Sequence, residues 1–132
     1  MADIRFNNRD PIYLQVIDHF RKQIVSDQLS LDAELPSRRE IARQLGINPN
    51  TVQRAFSEME EMGWIYTEPN RPSNVTKNPE IVADIKRQFV EQAVKEFVSS
   101  IQTIDITYEE VTDLLFQEIE KQTKNKGVEK HD

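Results

Sequence analysis

The chain has 132 residues, 37% hydrophobic and 30% charged, with a formal net charge of −6 and no cysteine. That length suits one ordinary domain, or a small domain with an appendage. The missing cysteines exclude disulfides and thiolate metal sites. No apolar run approaches the roughly 20 residues of a membrane span, and Met1-Ala2-Asp3-Ile4-Arg5-Phe6 lacks the apolar core of a secretory signal, so the expected location is cytoplasmic.

Asp10-Pro11 predicts the start of a first helix, with Asp as cap and Pro at the first helical position. Ile12, Val16, Ile17, Phe20, Ile24 and Val25 then recur at helical spacing and form one buried stripe. Ser26 to Glu34 is polar and reads as a loop, and Leu35-Pro36 leaves room for no more than a stub of strand. Ser37-Arg38-Arg39-Glu40 is a capping box: the Ser oxygen takes the Glu40 amide and the Glu side chain reaches back. Ile41, Ala42 and Leu45 face inward, and Gly46 supplies the positive φ that stops this second helix. Asn48-Pro49 restarts a third, with Val52, Ala55, Phe56 and Met59 on its buried face and Gly63 at its end.

Trp64-Ile65-Tyr66-Thr67 is aromatic and β-branched and predicts a strand, with Trp64 read as core rather than as a base-stacking residue. Glu68 to Asn74 reads as a turn, and Val75-Thr76 returns as a second short strand. Beyond Asn78-Pro79 the composition changes. Ile81, Ile85, Phe89, Ala93, Phe97 and Ile101 run at helical spacing for about six turns. Thr107 and Glu110 make a second capping box ahead of Val111, Leu114, Leu115 and Ile119. The expected architecture is mainly α: a winged helix-turn-helix of three helices and a β-hairpin wing over 1–78, a two-helix dimerisation region over 79–124 and a disordered tail over 125–132.

The charge is unevenly divided among these parts. Residues 1–78 carry ten Lys/Arg against eleven Asp/Glu, a balance of −1, whereas residues 79–132 carry seven against twelve, a balance of −5. Within Leu35–Ser57, Arg38, Arg39, Arg43 and Arg54 stand against Glu40 alone, a local +3. A local basic face on an acidic chain suits binding at one place on DNA, not coating by bulk attraction to phosphate. A helix, a short turn with Gly, a helix and a hairpin leave Asn50, Thr51, Gln53 and Arg54 near the start of the third helix. A recognition helix presents that end to the major groove. Asn and Gln can bond adenine, Arg can bond guanine and the Thr methyl can touch thymine. The helix starts at Ser37 and Asn48 also offer amides to phosphates. Glu58, Glu60 and Glu61 read as the solvent-facing back of the third helix.

Three separated motifs then carry a resemblance: Pro11-Ile12-Tyr13-x-Gln15-Val16, Leu35-Pro36-Ser37-x-Arg39-Glu40-Ile41-Ala42 and Leu45-Gly46-Ile47-Asn48-Pro49-Asn50-Thr51-Val52. Occurring in this order, they resemble the GntR family of bacterial regulators over residues 10–78, and the Ile-Asn-Pro-Asn-Thr-Val run with a short helical C-terminus looks like its YtrA subfamily. The resemblance implies a winged-helix homodimer that represses transcription from a double-stranded, inverted-repeat operator. Its DNA contacts carry over to Arg39, Asn48, Asn50, Thr51 and Gln53. Ser37, Arg38 and Arg54 join them from the reading of the residues, and Asn70 and Arg71 from the wing. There the family's Gly-x-Gly is replaced by Pro69-Asn70-Arg71-Pro72-Ser73-Asn74, so Asn70 must take the positive φ. Pro49 and Gln53 stand where many members have Arg.

The two C-terminal helices cannot bury both stripes alone, so they are expected to pair antiparallel and dimerise with a second copy. A pocket between protomers stays open to a small-molecule effector that nothing in the sequence identifies. His19 and His131 lack partners at ligand spacing, so no metal and no cofactor is expected. There is no nucleophile–base pair and no P-loop, hence no catalytic residue and no enzyme. The competing reading is a winged-helix protein-interaction module without specific DNA binding, motivated by the acidic total and the missing wing glycines.

Overall fold

The computed structural model describes the backbone of residues 4–131 and the side chains of residues 4–126. Among the described residues there are five helices and one two-stranded antiparallel hairpin: α1 Ile12–Val25, α2 Arg38–Leu45, α3 Pro49–Glu61, β1 Ile65–Thr67, β2 Ser73–Val75, α4 Pro79–Ile101 and α5 Tyr108–His131. Two compact units result, Met1–Ala93 and Val94–Asp132. The division falls inside α4, not at the composition change after residue 78. The reason is that Ile85 is buried in the first unit's core and Ile81 and Val82 pack against it.

In the first unit α1 and α2 both pack on α3, and β1 follows directly from it. Phe20, Ile24, Ile41, Val52, Phe56 and Met59 are almost wholly withdrawn from solvent. Phe20 and Phe56 meet edge to face, with centroids 5.8 Å apart, the arrangement that aromatic quadrupoles favour. Trp64 lies in this core, as its place at the head of β1 suggests.

The helix ends follow their residues closely, with instructive exceptions. Pro11, not Asp10, occupies the N-cap position of α1, and no side chain caps it. The lead-in is organised instead by Asn7, whose Oδ1 accepts from the amides of Arg9 and Asp10, and by Gln15. The Gln15 Oε1 takes the Asn7 amide at 2.9 Å, and its Nε2 donates to the Asp10 carbonyl at 2.9 Å. Ser37 caps α2 as expected, its Oγ accepting from the Glu40 amide at 3.1 Å. The return arm of the box does not form, because the Glu40 carboxylate is taken by Arg43 and Gln44. Gly46 closes α2 at φ 65, and Gly63 follows α3 at φ 80. Thr107 Oγ1 caps α5 by accepting from the Glu110 amide at 3.2 Å.

The hairpin pairs Ile65 with Val75, Tyr66 with Asn74 and Thr67 with Ser73. Its second strand therefore begins at Ser73, two residues before the expected Val75. Ser73 and Asn74 are poor strand formers, but β2 is held on both edges. The Ser73 carbonyl accepts from the Leu35 amide at 2.8 Å, and the Val75 amide donates to Ala33 at 2.8 Å. Pairing from two sides outweighs intrinsic preference. Glu34 bridges to Asn74, so the stub before Pro36 is real but one bridge long.

In the second unit, Phe97 and Ile101 of α4 and Val111, Leu114 and Leu115 of α5 line a groove of about 420 Å³. The expected antiparallel seam is not closed: Phe97 is 38% exposed, Leu115 41% and Phe116 67%. The segment 125–132, expected as a disordered tail, is helical as far as His131, and Asp132 lies outside the described residues.

Candidate nucleic-acid interface

The start of α3 is built by Asn48 and Pro49. Asn48 sits in extended backbone, and its Oδ1 accepts from the Asn50 amide at 2.8 Å. Its carbonyl takes the Thr51 amide at 3.0 Å, and Pro49 has no amide to give. The first turn of α3 therefore holds fewer free donors for phosphate than a bare helix start would offer. Ser37 is engaged in the same way at α2. The side-chain oxygens of Ser37 and Asn48 thus shape the helix-turn-helix, while the Ser37 hydroxyl proton and the Asn48 amide nitrogen remain donors.

Of the ten residues singled out from the sequence, Arg38 and Thr51 are half-buried and the other eight are exposed. Asn50, Gln53 and Arg54 project from α3 opposite Val52, Ala55, Phe56 and Met59, which are fixed in the core. Packing of the buried face therefore sets the rotation of the exposed one. Gln53 Nε2 donates to Ser57 Oγ at 3.1 Å along the helix.

The arginines divide into committed and uncommitted groups. Arg38 Nη2 donates to Glu60 Oε1 at 2.8 Å, and its guanidinium lies 5.0 Å from the Phe56 ring centre. Glu60 is therefore not on the solvent-facing back of α3, as its neighbours suggested. It is half-buried and ties α3 to α2. Arg43 is held by Glu40, and its hydrogen bonds draw the Glu40 carboxyl below the usual range. Arg54 lies 3.7 Å over the Tyr13 ring and 4.0 Å from Glu58. Arg39 is exposed and has no ion-pair partner among the described residues. It is the cation of α2 with least to lose on meeting phosphate or a base edge.

At the wing, Asn70 adopts φ 61, the left-handed conformation that the missing glycines demanded of it. The Arg71 amide donates to the Glu68 carbonyl at 3.1 Å, closing the turn. The Arg71 side chain is 74% exposed and 4.0 Å from Glu68. At the base of the hairpin, the Tyr66 hydroxyl donates to Asp32, which raises the phenol's pKa, and Lys77 lies 5.3 Å from the ring centre.

Two residues of this surface escape a reading of the sequence, Tyr13 beneath Arg54 and Glu60 beside Arg38. Each acts across elements, and neither carries a local pattern that names its partner.

A model of bacterial regulatory proteins, gntR family, matches residues 12–75, which takes in α1 through the hairpin. The uncharacterized HTH-type transcriptional regulator YhcF of Bacillus subtilis is 35% identical over 109 residues, covering 83% of this chain and 90% of that protein. The HTH-type transcriptional repressor YtrA of Bacillus subtilis is 28% identical over 99 residues, covering 74% and 76%. A GntR family transcriptional regulator from Listeria monocytogenes has a similar structure, with TM-score 0.78 and 28% identity over 85% of this chain and 98% of that one. No helix among the described residues is long and apolar enough to cross a membrane. The likeness to YhcF extends through α4 and past the matched domain, and with it the chain belongs to the GntR family, as a DNA-binding transcription regulator with YtrA among its relatives.

Proposed function

We propose that the chain is a sequence-specific, dimeric repressor that binds an inverted-repeat operator in the cytoplasm. Recognition helix 48–62 enters the major groove, wing 64–76 reaches the flanking backbone or minor groove, and the C-terminal helices join two copies. The observation that carries this reading is the exposed polar set of Arg39, Asn50 and Gln53 on two helices whose opposite faces are locked into one core. Fixed backbones with exposed, bidentate-capable side chains are what base reading requires. Arg71, extended from the wing tip, supplies the second contact. The repressor assignment follows the relative named as a transcriptional repressor. Apolar faces left open on α4 and α5 support the symmetric assembly.

Selection of duplexes from a random library by the full chain, followed by anisotropy titration at several salt concentrations, tests the reading. Two enriched half-sites related by inversion are expected, bound well above random DNA. Arg39→Ala and Asn50→Ala should each weaken the selected duplex by roughly 1–3 kcal/mol. No enrichment, or unchanged affinity in both variants, would sink it. Sedimentation of the complex should give two chains per duplex.

A further inference from the structure

We infer that Arg38 and Glu60, both in the DNA-binding unit, are positioning residues that set the wing against the recognition helix without touching DNA. Glu60 Oε1 accepts from Arg38 Nη2 at 2.8 Å and from Thr67 Oγ1 at 2.7 Å. Thr67 Oγ1 in turn lies 2.6 Å from Ser73 Oγ across the hairpin. Ser73 is buried, and its carbonyl takes the Leu35 amide at 2.8 Å, two residues before the cap of α2. The contacts close a ring: the start of α2, the end of α3, β1, β2 and back to α2. Among the described residues of this unit, no other side-chain hydrogen bond joins α3 to the hairpin. A short hairpin has little grip of its own, and its pose is set where it is tied to the helices.

The chemistry fits a clamp rather than a contact. Arg38 lies against Phe56 and Glu60, with its side chain two-thirds withdrawn from water. Leaving Glu60 to reach phosphate would strand a half-buried carboxylate beside the DNA, where its charge repels. Thr67, itself exposed, supplies the one hydroxyl that joins that half-buried carboxylate to the buried Ser73, and loss of one member of a hydrogen-bond network is felt by the others.

This inference rests on the DNA reading proposed above, and the test separates the two. Thr67→Val keeps shape and strand preference but removes the hydroxyl, and Glu60→Gln keeps shape but removes the charge. Each is combined with Arg71→Ala at the wing tip and titrated against the selected duplex. In the intact chain, Thr67→Val and Glu60→Gln should each weaken binding by roughly tenfold, while the thermal midpoint moves little. In the Arg71→Ala background the same changes should have almost no further effect, since residues acting through one contact are non-additive. Arg38→Met, which keeps the packing on Phe56, should behave as Glu60→Gln does. Full additivity with Arg71→Ala, or wild-type affinity in Thr67→Val, overturns the clamp while leaving the DNA reading standing. If Arg71→Ala alone has no effect, the wing makes no contact and the clamp has nothing to position. If the unmodified chain selects no duplex, both readings fall.

Discussion

The two compact units spend their apolar residues differently. In Met1–Ala93 the large side chains converge, and Phe56, the centre of α3, is 1% exposed. In Val94–Asp132 two helices carry Phe97, Leu114, Leu115, Phe116 and Ile119 at positions that water still reaches. Each such side chain left in water forgoes about 1.5–3 kcal/mol of burial. A head complete within one chain and an appendage incomplete within one chain imply different kinds of stability. The first depends on internal packing, and the second would gain from the proposed association. For a DNA reader with a net charge of −6 this division matters. One small head makes few phosphate contacts, and in the proposed dimer two heads held together would supply the remaining affinity.

Substitutions in the two units should therefore break different things, and the core comes first. Phe56→Ala removes the ring that meets Phe20 and lies beneath Arg38. It should cost about 3–5 kcal/mol, seen as a loss of urea midpoint with Trp64 fluorescence as reporter. Phe97→Ala should leave that transition nearly unchanged and instead raise the dissociation constant of the proposed dimer, measured by sedimentation across a concentration series. If Phe97→Ala destabilises the head as Phe56→Ala does, the head's stability is not set by its own packing alone.

The next effects belong to the helix-turn-helix backbone. Gly46 holds φ 65, and a Cβ there would meet nothing within 4 Å. Gly46→Ala should therefore show the conformational penalty alone, about 1–2 kcal/mol. Ser37→Ala removes the acceptor for the Glu40 amide and should cost about 1 kcal/mol. Both are read as urea-midpoint shifts, and both should lower operator affinity by no more than their effect on folding. A larger loss of affinity would mean that Ser37 touches DNA directly as well as capping α2.

These same positions show what the sequence can express. Ser37, Gly46, Asn48, Pro49 and Asn70 state their roles locally, because a cap or a left-handed turn depends on the residue and its next few neighbours. The α-helical core faces are legible for the same reason, through their spacing. Arg38 reads locally as a DNA contact, and it is held instead by Glu60, 22 residues away. Arg54 was placed beside the base-reading residues, and it lies over Tyr13 of a different helix. Ser73 joined a strand against its own preference because partners on both sides offered hydrogen bonds. At Arg38, Arg54 and Ser73 the outcome was set by tertiary partners, which no local window contains, whereas the return arm of the Glu40 box was lost to Arg43 and Gln44 within one helical turn.

The smallest effect expected concerns His19 in α1, whose side chain lies edge-on to Phe20 with its Nε2 buried and without a hydrogen-bond partner. Burial, and then the charge of Lys22, hold its pKa below the ordinary 6.5, with Asp18 opposing. On unfolding the ordinary value returns, so between the folded value and 6.5 the unfolded chain binds more protons than the folded one. Stability is then complete above about pH 6.5 and falls as the pH drops through that value toward the folded one. The ring is half-exposed and water screens the effect, so it should be smaller than the loss of a helix cap. Urea midpoints at pH 7.5 and 5.5 should differ less for His19→Gln than for the unmodified chain. Equal differences would assign the acid sensitivity of the head to its carboxylates, among them Asp18: burial pushes its pKa up, but its bonds to Lys22 and Arg21 together outweigh burial and lower it, and these pairs are lost at more acid pH.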